Sequence, residues 1–498
     1  MGIIVKQSII NSIMTYTGIG LGFLLTIFLY PHILDPDQYG LTRVLISAAI
    51  ISSQFAHLGF NKMVIRYFPF FKQAAPQKHG LLFWAFVVPL AGFILFTVIY
   101  LLGSDLLIRF YSEQSPLFVN YYLWVIPLTL FVLYFEVLNN YLRSLRDTTT
   151  GSFVNEVSQR LLVIIILGFY FFEWISFTQF IILFVISYGS QPLLIMLQIW
   201  RKDEFRIKPN FDILRKPLIK GMANYGLYSL LGGLTTILVW NVDVMMLGSM
   251  AGLKATAIYA IAFYIASVIT VPQRSIEKIA TPLLADFIKN KQWDEVLSIY
   301  RKTSINQLIL GLFIFGLIWV NLDVLFLLLP DVYAAGKWVV FIVGIGKLIE
   351  MVTGANGIIL INSKHYRVSF YTNIILVGIT ILANYLLIPI YGIEGAAIAS
   401  AFALFVYNGV KYFYLWFRMN LQPFSVSTLI VFLLGSAAIY ISYALLQFDS
   451  VWINIPVKSA AFMIIFLAPV LWLQLSPDLN RLLGKVFTRI KSSISTKL

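Results

Sequence analysis

The 498-residue chain contains no cysteine, and only 12% of its residues are charged. The first absence excludes disulfides, thiolate nucleophiles and cysteine-ligated zinc. The second excludes the polar surface of a water-soluble domain, since 59% of the residues are hydrophobic and the mean hydropathy is +0.85. Histidine is scarce as well, and His32, His57, His79 and His365 have no metal-ligand spacing such as H-E-x-x-H. No G-x-x-x-x-G-K-[ST] phosphate loop is present, which argues against direct nucleotide-driven pumping. No connection between apolar runs exceeds about 35 residues, too little for a soluble catalytic or ATPase domain. Asp35-Pro36-Asp37 matches the Asp-x-Asp pattern by which sugar-nucleotide transferases hold a divalent cation, but it lies in a short polar break and reads as a turn. No cofactor and no metal are expected.

The chain has apolar runs of about 20 residues, the length that crosses a ~30 Å hydrocarbon layer as a helix. The first, from about Ile9 to Leu34, is longer than a secretory signal's core and lacks a small-residue cleavage site, so it is expected to remain as a spanning helix. Lys6 stands where a myristoylation signal needs Ser or Thr. The runs predict helices near 9–33, 41–60, 80–103, 120–142, 153–172 and 177–199 within residues 1–216. A second six follow near 218–240, 255–273, 305–329, 337–361, 368–389 and 393–416 within 217–420. Two more, near 425–446 and 453–475, fill 421–475 and bring the total to about fourteen. In the tail, 476–498, Leu479, Leu482, Leu483, Val486, Phe487, Ile490 and Ile494 recur at helical spacing among basic residues, as in a helix lying on the inner leaflet.

The net charge of +14 is compatible with nucleic acid, an anionic surface or an acidic substrate, and its distribution decides. With an inside N-terminus, 29 of the 36 Lys and Arg residues fall on the inner side of this map and only Arg43, Arg109, Lys254, Lys337 and Lys458 on the outer. That is the inside-positive bias of a multi-pass protein, so no nucleic-acid partner is expected.

Charges inside spans are functional candidates because each is costly in hydrocarbon. They are Glu136, Glu156, Arg160, Asp243, Lys347 and Glu350. Glu156 with Arg160, and Lys347 with Glu350, stand four and three apart and can meet on one helix face, as scaffold or as substrate contacts. Gly18, Gly20 and Gly22 in the first helix, and Gly226, Gly232 and Gly233 in the seventh, allow close packing or bending. Arg66 and Arg274 occupy corresponding inner ends of the second and eighth helices, where guanidinium groups suit a phosphate. With Arg160, Asp243 and Lys220 they form the candidate substrate-binding set.

Several segments carry a family resemblance. Leu34-Asp-Pro-Asp-Gln-Tyr39-Gly40 follows the first helix; Asn241-Val-Asp243-Val-Met-Met-Leu-Gly248 leads to Tyr259, Pro272, Pro282 and Asp294-Glu295; Asn384-Tyr-Leu-Leu-Ile-Pro389-Ile-Tyr-Gly392-Ile-Glu-Gly395 lies near the end of the second six. Together they resemble the polysaccharide flippase branch of the multidrug/oligosaccharidyl-lipid/polysaccharide exporter superfamily, departing at Ala257, where the family usually has Gly. The resemblance implies an all-α integral membrane fold, with two six-helix lobes around a central cavity plus two C-terminal helices. It implies a substrate that is an oligosaccharide on an isoprenoid pyrophosphate, a place in the bacterial cytoplasmic membrane, and other polysaccharide assembly proteins as partners. Two alternatives are weighed. A cation-coupled drug antiporter of the same superfamily commonly has a carboxylate in its first helix, and Ile9–Tyr30 has none; a polymerase or ligase needs a large outer loop, which is lacking.

The topology is directly testable because the chain has no native thiol. An impermeant thiol reagent applied to intact cells should label Ser112→Cys and leave Lys208→Cys unlabelled; the reverse result would invert the map.

Overall fold

The computed structural model describes residues 3–74, 80–211, 213, 216–444 and 451–481. The described residues are helical throughout, with no strand among them. Hydrocarbon offers backbone groups no water, and a helix satisfies them within one segment. The principal helices are α1 (Ile3–Phe23), α2 (Pro36–Ala56), α3 (Phe60–Ala74), α4 (Leu81–Leu102), α5 (Val125–Ser144), α6 (Gln159–Phe171), α7 (Phe177–Arg201) and α8 (Lys216–Met250). They continue as α9 (Leu253–Ser267), α10 (Val271–Lys289), α11 (Trp293–Val320), α12 (Lys337–Val352), α13 (Tyr366–Met419), α14 (Val426–Ala444) and α15 (Val451–Trp472).

Eleven helices among the described residues are long and apolar enough to cross a membrane, or twelve if α2 and α3 count as one bent span. Only 17% of the most apolar window of α4 is buried inside the protein, and Ile94, Leu95 and Ile99 stand out from its surface. Such faces are tolerable only against lipid. The chain is a multi-pass integral membrane protein.

By this criterion the expected fourteen spans are not reached, and the structure departs from the expected map at the second helix. The second expected helix, 41–60, is a bent pair: α2 and α3 meet at 44°, with Leu58 at φ 50° and Gly59 at φ 77° between them. Both residues lie in the left-handed region that ends a helix. The eleventh and twelfth expected helices, 368–389 and 393–416, are the two arms of α13, which breaks between them at Gly392 (φ 57°, ψ −126°). Its arms run side by side, since the Tyr407 hydroxyl donates to Asn373 Oδ1 at 2.9 Å, whereas in a straight helix these residues would stand about 50 Å apart. Most of the amphipathic tail, 482–498, lies outside the described residues.

The chain divides into two compact units, Met1–Ile261 with Ile388–Ile393, and Ala262–Leu387 with Glu394–Leu498. The first has a core of Phe60, Val64 and Phe71 from α3, Leu81 and Ala85 from α4, Leu133 and Tyr141 from α5, and Ile195 from α7. In the second, Leu312 and Phe315 of α11 pack with Val431 of α14 and Phe462 and Phe466 of α15.

Local polar chemistry fixes the helix ends. Asp35 and Gln38 form a reciprocal capping box at the start of α2, with Pro36 in the first turn, and Asp37 Oδ1 accepts the Lys254 N–H at 3.1 Å. Asp35-Pro36-Asp37 is therefore a helix start, as its turn reading required. After α5, Asp147 accepts from the Thr150 N–H at 3.1 Å and Gln198 Nε2 at 3.0 Å, and pairs with Lys202 at 3.3 Å. Burial pushes its carboxyl up, but the bonds from Gln198 and Thr150 and the charge of Lys202 outweigh this and hold it below the ordinary aspartate range.

The α2–α3 bend is pinned from one side by α8. A Cβ at Gly59 would lie 1.9 Å from the Gly226 carbonyl oxygen, so the two backbones touch where no side chain fits. Gly59→Ala should therefore destabilise the protein by roughly 3 kcal/mol or more, combining overpacking with a strained φ. Thermal unfolding in detergent checks this; a melting temperature equal to that of the parent would show that the bend can open.

Candidate functional site

Each unit holds buried polar groups within its spans, and their partners decide which are scaffold. In the first unit, Asp243 on α8 and Tyr259 on α9 are 2% and 1% exposed. The Tyr259 hydroxyl donates to Asp243 Oδ2 at 2.7 Å, joining the two helices across their connecting turn. The structure thus assigns Asp243 a scaffold bond. On the neighbouring side, Arg160 Nη2 bonds Glu156 Oε2 at 3.1 Å, so this predicted pair does meet, and Gly18 of α1 lies against Glu156.

Glu136 on α5 serves the bend. Its Oε2 accepts from Gln54 Nε2 of α2 at 2.9 Å and from Asn61 Nδ2 of α3 at 3.1 Å, so one carboxylate oxygen ties both arms. Gln54 also bonds His57 at 3.0 Å, and Asn61 bonds Asn140 of α5. Glu136 makes no ion pair among the described residues. The sequence marked Glu136 as costly; it gave no sign that Gln54 and Asn61 flank a bend.

Beyond the bend, Arg66 is exposed on α3, its guanidinium carbon 4.4 Å from the centroid of Tyr225 on α8. Lys220 is exposed one turn earlier on α8, next to Gly221, where an added Cβ would meet the Tyr67 hydroxyl at 3.3 Å. The fold therefore places Arg66 and Lys220 on adjoining stretches of one unit, with Tyr67 and Tyr225 between their helices. Arg160 and Asp243 are not part of that patch: Asp243 bonds Tyr259, and Arg160 bonds Glu156 through Nη2 while its buried Nη1 has no hydrogen bond among the described residues.

Arg274, in the second unit, is exposed on α10, one turn before Glu277. Gln273 donates to Glu277 Oε1 at 2.8 Å. Lys347 Nζ bonds Glu350 Oε2 at 3.2 Å, as their spacing predicted. Lys411 of α13, which the charge map placed at an inner helix end, is instead buried at 3% exposure, with its ammonium 3.6 Å from the Tyr407 ring centroid. It is within electrostatic reach of Glu350 and Glu277. Two lysines and two glutamates from α10, α12 and α13 thus form a balanced charge cluster. A polar stripe of Tyr407, Asn408 and Lys411 on an apolar helix was the available sequence signal; Asn408 accepts from Thr353 and Asn356, both at 3.1 Å.

These features define a multi-pass membrane protein whose described residues are all helical or in turns and connections. The structure is similar to one described as "Lipid II flippase MurJ, inward closed conformation", with a TM-score of 0.65 and 13% identity over 93% of this chain and 97% of that one. It is also similar to an inward-facing multidrug resistance MATE family transporter of the MOP superfamily (TM-score 0.58, 15% identity, 84% and 98% covered) and to an outward-facing one (0.55, 14%, 84% and 95%). No curated protein matches the sequence. The family described as Polysaccharide biosynthesis protein matches residues 4–287, and the chain belongs to that family.

Removing the hydroxyl of Tyr259 leaves a buried carboxylate short of one donor. Tyr259→Phe should lower stability by about 1–3 kcal/mol, read as a lower melting temperature in detergent. An unchanged melting temperature would remove Asp243 from the scaffold.

Proposed function

We propose that the protein is a flippase that moves a lipid-linked oligosaccharide, carried on an isoprenoid pyrophosphate, across the bacterial cytoplasmic membrane by alternating access. The observation that carries the reading is membership of a polysaccharide biosynthesis family on a fold similar to that of a lipid II flippase. On this reading the chain has lobes of six helices (1–216 and 217–420), with 421–475 as two added helices and both termini inside; the compact units divide later, at Ile261, so α8 packs with the first of them. Arg66, Lys220 and Arg274 are its substrate contacts: all are exposed cations, Lys220 and Arg274 near the starts of α8 and α10 and Arg66 midway along α3, suited to charge-assisted hydrogen bonds with a pyrophosphate. A diester with two negative charges leaving an inside-negative cell gains about 5 kcal/mol per 100 mV, so the membrane potential favours export.

The antiporter reading draws on the similar MATE transporters, but Ile9–Tyr30 offers no carboxylate for a cation. A polymerase or ligase would act on precursor already outside.

Loss of the protein should leave the lipid-linked oligosaccharide complete but confined to the inner leaflet, with no surface polymer. Precursor found outside and unjoined would transfer the missing step to an enzyme. For the contacts, Arg66→Lys with Arg274→Lys keeps the topological charge and should cut export several-fold, whereas the double Gln variant should abolish it. Full export by the Lys pair and near-full export by the Gln pair, at normal protein levels, would remove both arginines from the site.

A further inference from the structure

The second unit carries an acid-free basic recess that the transport reading does not use. It forms where α10, α13 and the short helix Asn356–Asn362 end, has a volume of about 500 Å³, and is lined by Lys291, Trp293, Lys364, His365, Arg418 and Asn420, among others. Lys291 (φ 58°) and Asn420 (φ 55°) adopt the left-handed conformation that stops α10 and α13, so the walls are helix stops. No Asp or Glu lines the recess, and Lys291, Lys364 and Arg418 make no ion pair among the described residues.

Two ordinary explanations exist for cations here: the inside-positive rule, and attraction to the carbonyl ends of helices. The first unit has one recess, beside Gly80, that is lined by Arg206 and Lys208 and likewise by no Asp or Glu, and another, beside Ser144, in which both signs of charge meet. Two of the three cations lining the latter, Lys72 and Lys202, are answered by carboxylates, Glu204 at 4.0 Å and Asp147 at 3.3 Å, and the third, Arg146, makes no ion pair among the described residues. The recess of the second unit has no such answer. Beside it, the last turns of α13 expose Phe413, Trp416 and Phe417 by 50%, 40% and 70%. Their rings stack, Phe413 on Phe417 at 5.9 Å and Trp416 on Phe417 at 5.1 Å, making an apolar strip on the turn that immediately precedes Arg418 in the chain.

A charged recess adjoining an aromatic strip matches an amphiphile with an anionic head and greasy chains. We propose that this recess binds the phosphate headgroup of an anionic phospholipid, with its acyl chains along Phe413, Trp416 and Phe417. Arg418 and Lys364 donate charge-assisted bonds to the phosphate oxygens, Lys291 adds charge, and Trp293 lies at headgroup depth. The inference does not depend on the flippase reading, because occupancy is measured without transport. His365 serves as an internal reporter. Its Nδ1 lies 2.7 Å from the Tyr414 hydroxyl, and burial, then the charges of Lys364 and Arg418, hold its pKa below the ordinary histidine range. A bound anion would raise it again.

The test uses the full chain in neutral detergent, titrated with dioctanoyl phosphatidylglycerol, dioctanoyl phosphatidylcholine or inorganic pyrophosphate. Thermal stabilisation and the histidine NMR titration are followed, the His365 signal being identified by its loss in His365→Gln. Phosphatidylglycerol should stabilise the protein saturably and raise the His365 pKa, and phosphatidylcholine should do neither. Lys364→Gln with Arg418→Gln should weaken the phosphatidylglycerol effect at least tenfold, while Arg201→Gln with Lys208→Gln, which removes the same charge from the first unit, should not. Equal weakening by both pairs would reduce the effect to general electrostatics and overturn the site. Saturation by inorganic pyrophosphate with no response to phosphatidylglycerol would overturn the lipid assignment. If the Lys364/Arg418 pair fails to fold, Phe417→Ala replaces it: unchanged phosphatidylglycerol affinity in that variant would also overturn the chain-binding strip.

Discussion

Every polar group placed within hydrocarbon must find its partner inside the protein, and the rest of this structure follows from that constraint. For the backbone the answer is the helix, and the described residues contain no strand. For side chains the answer is local pairing: Tyr259 with Asp243, Arg160 with Glu156, Lys347 with Glu350, and two amides on Glu136. An ionised side chain alone at the bilayer centre costs about 2.5–3.5 kcal/mol on insertion scales. A partner a few residues away removes much of that cost without demanding that distant helices be placed first.

The bend between α2 and α3 is where the same rule acquires a mechanical consequence. A break in a spanning segment frees backbone groups and separates two arms that must be held together. Here Glu136 draws a donor from each arm to one oxygen, the His57 ring accepts the Gly59 N–H at 3.0 Å, and Gly226 admits the turn at backbone contact. The arm beyond the bend carries Arg66 onto Tyr225. The direction in which a candidate substrate contact projects is therefore set by a carboxylate on another helix.

Most of the fold was legible because its determinants are one-dimensional. Hydropathy marked the long apolar segments, and the expected alternation rests on the distribution of Lys and Arg. The in-helix pairs were legible from spacing alone. The bend was not: neither Leu58 nor Gly59 interrupts the apolar run, and the decision to break is made by Glu136 and Gly226, far away in sequence. Lys411 was misplaced for a related reason. A lysine near the end of an apolar run looks like an inner anchor, and only the return of α13 at Gly392 brings it beside α10 and α12. The patch of Arg66 and Lys220 was legible as residues but not as neighbours, since the packing of Tyr67 and Tyr225 joins them.

Several of the residues that carry the family resemblance are packing residues, although much of the third segment, Tyr385 to Tyr391, is exposed. Tyr39 is fully buried, a Cβ on Gly40 would lie 2.0 Å from the Leu253 carbonyl oxygen, Asp37 receives the Lys254 N–H, and Asp243 holds Tyr259. All of these bonds close one end of the first unit, where α2 meets the turn between α8 and α9. Side chains spent on each other in this way cannot also read a substrate. A common fold at 13% identity is the expected consequence, since such contacts need only a few residue types at a few places. On the proposed reading, choice of substrate rests on groups outside the signature, among them the exposed cations Arg66, Lys220 and Arg274.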